Sequence, residues 1–170
     1  MKLKIISYNI LANYLANPDF IQVNKKYLDN TYRIKILKKK IIDEIENNTI
    51  FCLQEVSDKQ LASLHIFLSK YKYKFVNINE LAILFPYEKF IINNLELGLI
   101  YDELRDMIPT KHHKLLNSKK KYFIILTLSD INKKRSFTIA TTHLIASPEL
   151  NDLKLLQIYC ILKKLDKYNN

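Results

Sequence analysis

Glycine is nearly absent: the 170 residues hold one, Gly98. That excludes phosphate loops of the P-loop and dinucleotide-fingerprint kinds, both of which need several glycines where backbone closes on phosphate. Arginine is scarce as well, and the basic side chains are lysines apart from Arg33, Arg105 and Arg135. The two cysteines are Cys52, in a strongly apolar run, and Cys160, in the last helical stretch. Cysteines in such settings are reduced core residues, not a disulfide framework or a metal cluster. No apolar run approaches the roughly 18 residues of a membrane span. Met1 is followed by a Lys-apolar alternation without an h-region or a small-residue cleavage site. The expectation is an intracellular protein, not secreted, with no membrane partner.

Other features carry more. With 48% hydrophobic and 26% charged residues the chain has a globular balance, which removes disordered and collagen-like classes. A formal charge of +10 permits an anionic partner. The same crowding of Lys, Ile, Asn and Tyr also fits AT-rich coding, so the charge speaks for non-specific attraction more than for fold.

The spacing predicts strands at Lys2 to Asn9 and Thr49 to Gln54, two more within Phe75 to Phe85 around a turn at Asn77 to Glu80, and a hairpin from Tyr122 to Leu128 and Ser136 to Thr142. Amphipathic helices are expected at Thr31 to Asn47, on Ile34, Leu37, Ile41, Ile42 and Ile45, and at Ser57 to Lys70 with Ser57 as N-cap. A third, Asn151 to Tyr168, rests on Leu153, Leu156, Ile158, Ile161, Leu162 and Leu165. The lysine runs Lys38 to Lys40 and Lys119 to Lys121 read as solvated faces, and His112-His113 as part of a solvated loop. Tyr87 to Lys121 has no clear period. Strand-helix-strand units mixed with hairpins argue for an α/β or α+β layered domain.

Three apolar strands end on a residue able to meet a metal or a phosphate: Asn9 after KIISY, Glu55 after IFCLQ and His143 after FTIATT. Convergent rim residues are how open-sheet enzymes build sites. A lone rim carboxylate, an amide and an imidazole suit Mg²⁺-assisted phosphodiester hydrolysis, with Glu55 on the cation, Asn9 positioning a phosphate oxygen or the attacking water's partners, and His143 donating to the phosphate. Each also has an ordinary reading: a polar loop start, a turn-forming Asn, a structural His.

Together the motifs resemble a known family. SYNILANYLA at Ser7 to Ala16, Tyr32-Arg33, FCLQEV at Phe51 to Val56, AILF at Ala82 to Phe85 and ATTHLIASPELNDLKLLQ at Ala140 to Gln157 stand in the order found in the endonuclease/exonuclease/phosphatase superfamily. The sequence most resembles its CCR4-type deadenylase branch, which includes nocturnin and the Angel proteins. The resemblance implies α/β architecture, the N-terminal half of a four-layer, DNase I-like sandwich with a mixed sheet and flanking helices. It implies a Mg²⁺ (or Mn²⁺) dependent 3′-5′ exoribonuclease directed at poly(A) RNA. Glu55 then matches the metal-binding Glu, Asn9 the strand-end Asn, His143 the phosphate-facing His, and Pro148 a proline near the substrate base.

Departures accompany the resemblance. After His143-Leu144 the branch carries an aromatic residue suited to base stacking, and Ile145-Ala146 stand here; before AILF, Asn79-Glu80-Leu81 replace its Asp-Gly. The Gly-Asp-x-Asn and terminal Ser-Asp-His elements of the superfamily do not occur. Residues 1–170 therefore read as a single truncated domain of doubtful activity alone, with an apolar sheet face left bare for a partner chain or self-association. The alternative is a non-catalytic RNA-binding or protein-interaction module, a degenerate or split nuclease half.

Overall fold

Branched apolar residues favour extended backbone, and the first of them form β1 (Ile5–Asn9). The computed structural model describes residues 3–17, 19, 23–45, 48–132 and 134–168, so Pro18 and the helix-end residues Glu46 and Asn47 lie outside the described residues. The chain divides into two compact units, Met1–Ile91 and Ile92–Asn170.

In the first unit, β1 is followed by α1 (Asn30–Ile45), β2 (Ile50–Gln54), α2 (Asp58–Ser69), β3 (Tyr73–Ile78) and β4 (Leu81–Pro86). The four strands lie in the order β1-β2-β4-β3. β1 and β2 run parallel, in register from Ile5 opposite Ile50 to Asn9 opposite Gln54. β4 runs antiparallel to both neighbours, which makes the sheet mixed. Ile34, Leu37 and Ile41 of α1 and Leu64 and Leu68 of α2 form one apolar cluster with Phe51, Leu53, Ala82 and Leu84 of the sheet. Ile42, expected in the core, is exposed. Lys39 and Lys40 are exposed, as a solvated face implies, while Lys38 is half-buried. Lys38 donates to Ser63 Oγ at 2.9 Å, and Lys40 lies 5.0 Å from the centre of the Tyr8 ring.

The second unit holds most of β5 (Phe90–Leu99), then α3 (Ile100–Leu104), α4 (Thr110–Ser118), β6 (Tyr122–Asp130), β7 (Ser136–Thr142) and α5 (Asn151–Leu165). Its strands lie in the order β5-β6-β7, with β6 and β7 forming the expected hairpin. His112 and His113 belong to α4, not to a loop: His113 Nε2 is 2.8 Å from the Ile108 carbonyl and its ring stands edge-on to Tyr101. α5 buries Leu153, Cys160 and Ile161, whereas Ile158 and Leu162, expected in the core, are exposed. With Leu155 and Tyr159 they make a second apolar stripe along the helix.

Every residue of β2 and β4 is buried, and so are Phe123 to Leu126 of β6. Exposed apolar side chains in the sheets fall on β1 (Ile5, Tyr8) and β5 (Ile92, Leu95, Leu97), which are the outer strands of their sheets.

Both cysteines are buried and free, and burial pushes the Cys52 thiol up to about 11, so it is no nucleophile or ready metal ligand at neutral pH. Lys164 is a buried charge of the second unit. Its ammonium donates to Glu96 at 2.5 Å, pairs with Glu103 at 2.9 Å and lies 5.1 Å from the Phe123 ring centre. The hydrogen bond from Lys164 holds Glu96 below the usual carboxylate range, against the opposing effect of burial. A depressed carboxylate stabilises the fold fully above its unfolded value of about 4.3, and that contribution is lost as pH falls through the folded value. Lys164→Met is therefore expected to lower the melting temperature by several degrees at pH 7, with the gap to wild type closing in acid below about pH 4. A gap that stays constant in calorimetric scans across this range would show that the charge pair is not its source.

Candidate functional site

The parallel pairing of β1 with β2 brings their carboxyl ends to one rim, with Asn9 opposite Gln54 and Glu55 one residue beyond. Backbone bonds hold that rim on both sides of Glu55: Ile10 N–H donates to the Gln54 carbonyl at 2.9 Å and Val56 N–H to the Glu80 carbonyl at 3.0 Å. Between them Glu55 takes a left-handed conformation, φ 57°. For a side chain with a Cβ this costs about 1–2 kcal/mol, and such strain is retained where neighbours over-determine it. Glu55 is 8% exposed, and its Oε1 accepts from Asn9 Nδ2 at 2.7 Å.

Asn9 is oriented in turn. Its Oδ1 accepts from Leu11 N–H at 3.0 Å, which leaves the amide nitrogen as the group presented to Glu55. Leu11 is also left-handed, φ 57°, and its carbonyl is held by two side chains. Gln60 Nε2 donates to it at 3.1 Å, and Arg33 Nη2 donates both to it and, at 2.6 Å, to the Ile10 carbonyl. Burial pulls the Arg33 guanidinium down from its ordinary value, while Tyr8 and Glu55 pull it back up. With a single glycine in the chain, both left-handed positions of this rim are filled by residues that need such external support.

The same Gln60 caps α2. Its Oε1 accepts from Ser57 N–H at 2.9 Å and from Ser57 Oγ at 2.8 Å, completing the S-x-x-Q box. Ser57 is the N-cap the sequence indicates. The partner at Gln60 is readable from the spacing, but its second bond, to the turn after β1, is not. Beside this rim lies an open cleft lined by Asn13, Tyr14, Ser57, Asp58, Asn79 and Glu80.

A divalent cation fits this donor set. Glu55 offers a hard oxygen donor, fixed by a neutral amide. Among the described residues no group of three or more His, Cys, Asp and Glu side chains converges.

In the second unit His143 follows directly on the last residue of β7, at the strand end the sequence indicates. The segment after it is anchored by Gln157 of α5, 1% exposed, whose Oε1 accepts from Ile145 N–H at 3.0 Å. Ile145 is buried in the apolar cluster of this unit, with Phe123, Leu153 and Ile161. Ile145 is therefore a core position of this unit. Ala146 and Pro148 are exposed on the same segment. Buried glutamines thus pin the backbone after β1 and after β7.

No family model matches the chain. The CCR4-Not complex 3′-5′-exoribonuclease subunit Ccr4 of Candida albicans is 24% identical over 188 residues, covering 95% of this chain and 23% of that protein. Among solved structures, ANGEL2, a 2′,3′-cyclic phosphatase in complex with adenosine-2′,3′-vanadate, aligns with a TM-score of 0.75 and 20% identity over 96% of this chain and 47% of its own. The human Nocturnin catalytic domain with bound sulfate aligns at 0.65 and 22%, over 98% of this chain and 58% of its own. These likenesses show a DNase I-like α/β fold of the endonuclease/exonuclease/phosphatase type. The chain spans about half the length of these structures and about a quarter of the curated relative.

Proposed function

We propose that this chain carries the metal- and phosphate-binding part of a divalent-cation-dependent phosphodiester hydrolase that acts on the 3′ end of RNA. The observation that carries the reading is the Asn9–Glu55 pair, a buried carboxylate held at 2.7 Å by an amide whose other end is fixed. Mg²⁺ or Mn²⁺ on Glu55 would supply charge neutralisation at the scissile phosphate. Asn9 orients the carboxylate, His143 donates to a phosphate oxygen, and Pro148 contacts the terminal base. Neither Gly-Asp-x-Asn nor Ser-Asp-His occurs among these 170 residues, so the reading gives this chain the metal- and phosphate-binding roles and assigns no group to activation of the attacking water. Two buried thiols fit a reducing, intracellular setting. No helix among the described residues is long and apolar enough to cross a membrane.

RNA is favoured over the other phosphate esters handled by proteins of this fold because the relative matched along nearly the whole chain in sequence is an exoribonuclease. Fluorescence anisotropy with a short oligo(A) tests the reading. Binding is expected to tighten several-fold on adding Mn²⁺, to return to its starting level with a chelator, and to lose its metal dependence in Glu55→Gln. Binding that ignores the metal contradicts the proposal. Metal-dependent binding without any shortening of the oligonucleotide, at protein excess and over long incubation, would favour the non-catalytic module.

A further inference from the structure

The side chain of Gln60 joins two structures that the chain builds separately. Its oxygen belongs to the cap of α2, through Ser57 N–H and Oγ, and its nitrogen belongs to the turn after β1, through the Leu11 carbonyl. A cap alone needs only the oxygen. Gln60 is nevertheless 1% exposed, which removes its amide from water and makes both ends depend on protein partners. The nitrogen's target is not an arbitrary carbonyl: Leu11 stands in the left-handed region, and the N–H of that same residue fixes Asn9 Oδ1. A path of hydrogen bonds therefore runs from Ser57 through Gln60, Leu11 and Asn9 to Glu55 Oε1. It connects the two ends of the segment that follows β2, because Glu55 and Ser57 are separated by Val56 alone.

We infer that Gln60 is a positioning residue for the Asn9–Glu55 pair: by holding the Leu11 carbonyl it keeps Leu11 left-handed, which aims the Asn9 amide at the carboxylate. The consequence for metal binding rests on the reading of Glu55 as the cation's ligand; the consequence for Asn9 does not. Arg33 shares the load at the same carbonyl, so loss of Gln60 loosens the turn without releasing it. Loss of a partner one shell out from a metal ligand typically costs about 10-fold to 100-fold in affinity, and with Arg33 in place the lower figure applies.

Gln60→Met keeps the length and bulk of the side chain and removes both of its polar ends. Mn²⁺ binding, followed by the electron paramagnetic resonance of the free ion, is expected to weaken about tenfold. The Asn9 side-chain amide signals of the metal-free protein, assigned by their disappearance in Asn9→Asp, are expected to shift. The decisive variant adds Leu11→Gly, because glycine adopts the left-handed conformation without the support Leu11 needs. In Gln60→Met/Leu11→Gly most of the Mn²⁺ affinity and the wild-type amide signals return, while the loss of thermal stability from the missing α2 cap remains. If Gln60→Met does not fold, Gln60→Glu keeps an acceptor for Ser57 and replaces the donor to Leu11 with a carboxylate oxygen that repels its carbonyl, and the same amide shift is read there. Unchanged amide signals on removing the donor, or no recovery with Leu11→Gly, would overturn the inference and leave Gln60 as a helix cap. A wild-type chain that takes up no Mn²⁺ would overturn the metal reading alone, with the amide signals still deciding the role of Gln60.

Discussion

Gly98→Ala is expected to destabilise the second unit by about 3 kcal/mol, at the upper end for an overpacked core. The glycine does not serve a left-handed turn, since no glycine has positive φ. It serves close approach. A Cβ at position 98 would lie 2.5 Å from Phe123 Cζ and 2.6 Å from Cε1. The ring has nowhere to retreat: Phe123 is fully buried in the apolar cluster of its unit, with the Lys164 ammonium over one face. Because the clash is between two named groups, shortening the ring should relieve it. Gly98→Ala/Phe123→Leu is expected to be more stable than the sum of the two single changes by well over the roughly 0.5 kcal/mol found for independent sites. Urea unfolding of the four proteins of this cycle measures it. Strict additivity would mean that Gly98 is kept for some reason other than the ring.

The second large effect concerns Glu55→Gln. The substitution is nearly isosteric, so the fold and the bond to the Asn9 amide can persist through the remaining carbonyl oxygen. What is lost is the negative charge of the carboxylate that Asn9 addresses. A hydrated cation held mainly by one carboxylate and by substrate phosphate has little else in the protein to bind to. Mn²⁺ affinity is expected to fall by at least about 100-fold and to become unmeasurable by calorimetry, a larger change than the roughly tenfold expected for Gln60→Met. Asn9→Ala, which removes only the orienting amide, is expected to fall between the two. An Asn9→Ala loss as large as that of Glu55→Gln would mean that Asn9 is itself a ligand.

Much of this architecture is legible in the sequence for simple reasons. KLKIISYN and TIFCLQ are short branched apolar runs, and both contain strands that end where expected, β2 starting one residue later than expected and β1 starting at Ile5. The hairpin of β6 and β7 is equally plain, because a polar turn separates two apolar runs. The stretch from Tyr87 to Lys121 is not legible. β5 interrupts its alternation with Asn93-Asn94, and α3 and α4, at 5 and 9 residues, are too short to establish a helical period. α5 misleads in another way: it is apolar on two sides, so periodicity identifies the helix but not the buried face.

The candidate site divides along the same line. Asn9, Glu55 and His143 are visible because each ends an apolar strand, and register alone then puts Asn9 next to Glu55. The apparatus that aims them is hidden. Left-handed backbone at Leu11 and Glu55 would ordinarily be marked by glycine or asparagine, and this chain uses neither there. The support is supplied instead by Gln60 and Arg33 from helices whose sequence positions, 49 and 22 residues from Leu11, carry no hint of the contact.

The central claim is that Glu55, fixed by Asn9, is the carboxylate that takes a divalent cation. Anomalous diffraction from crystals of the chain soaked in Mn²⁺ tests it most directly. The account predicts one strong peak at about 2.0–2.2 Å from a Glu55 carboxylate oxygen, completed by waters, and absent from Glu55→Gln crystals treated alike. Manganese density elsewhere on the chain with none at Glu55, or an undiminished peak in Glu55→Gln, would contradict it.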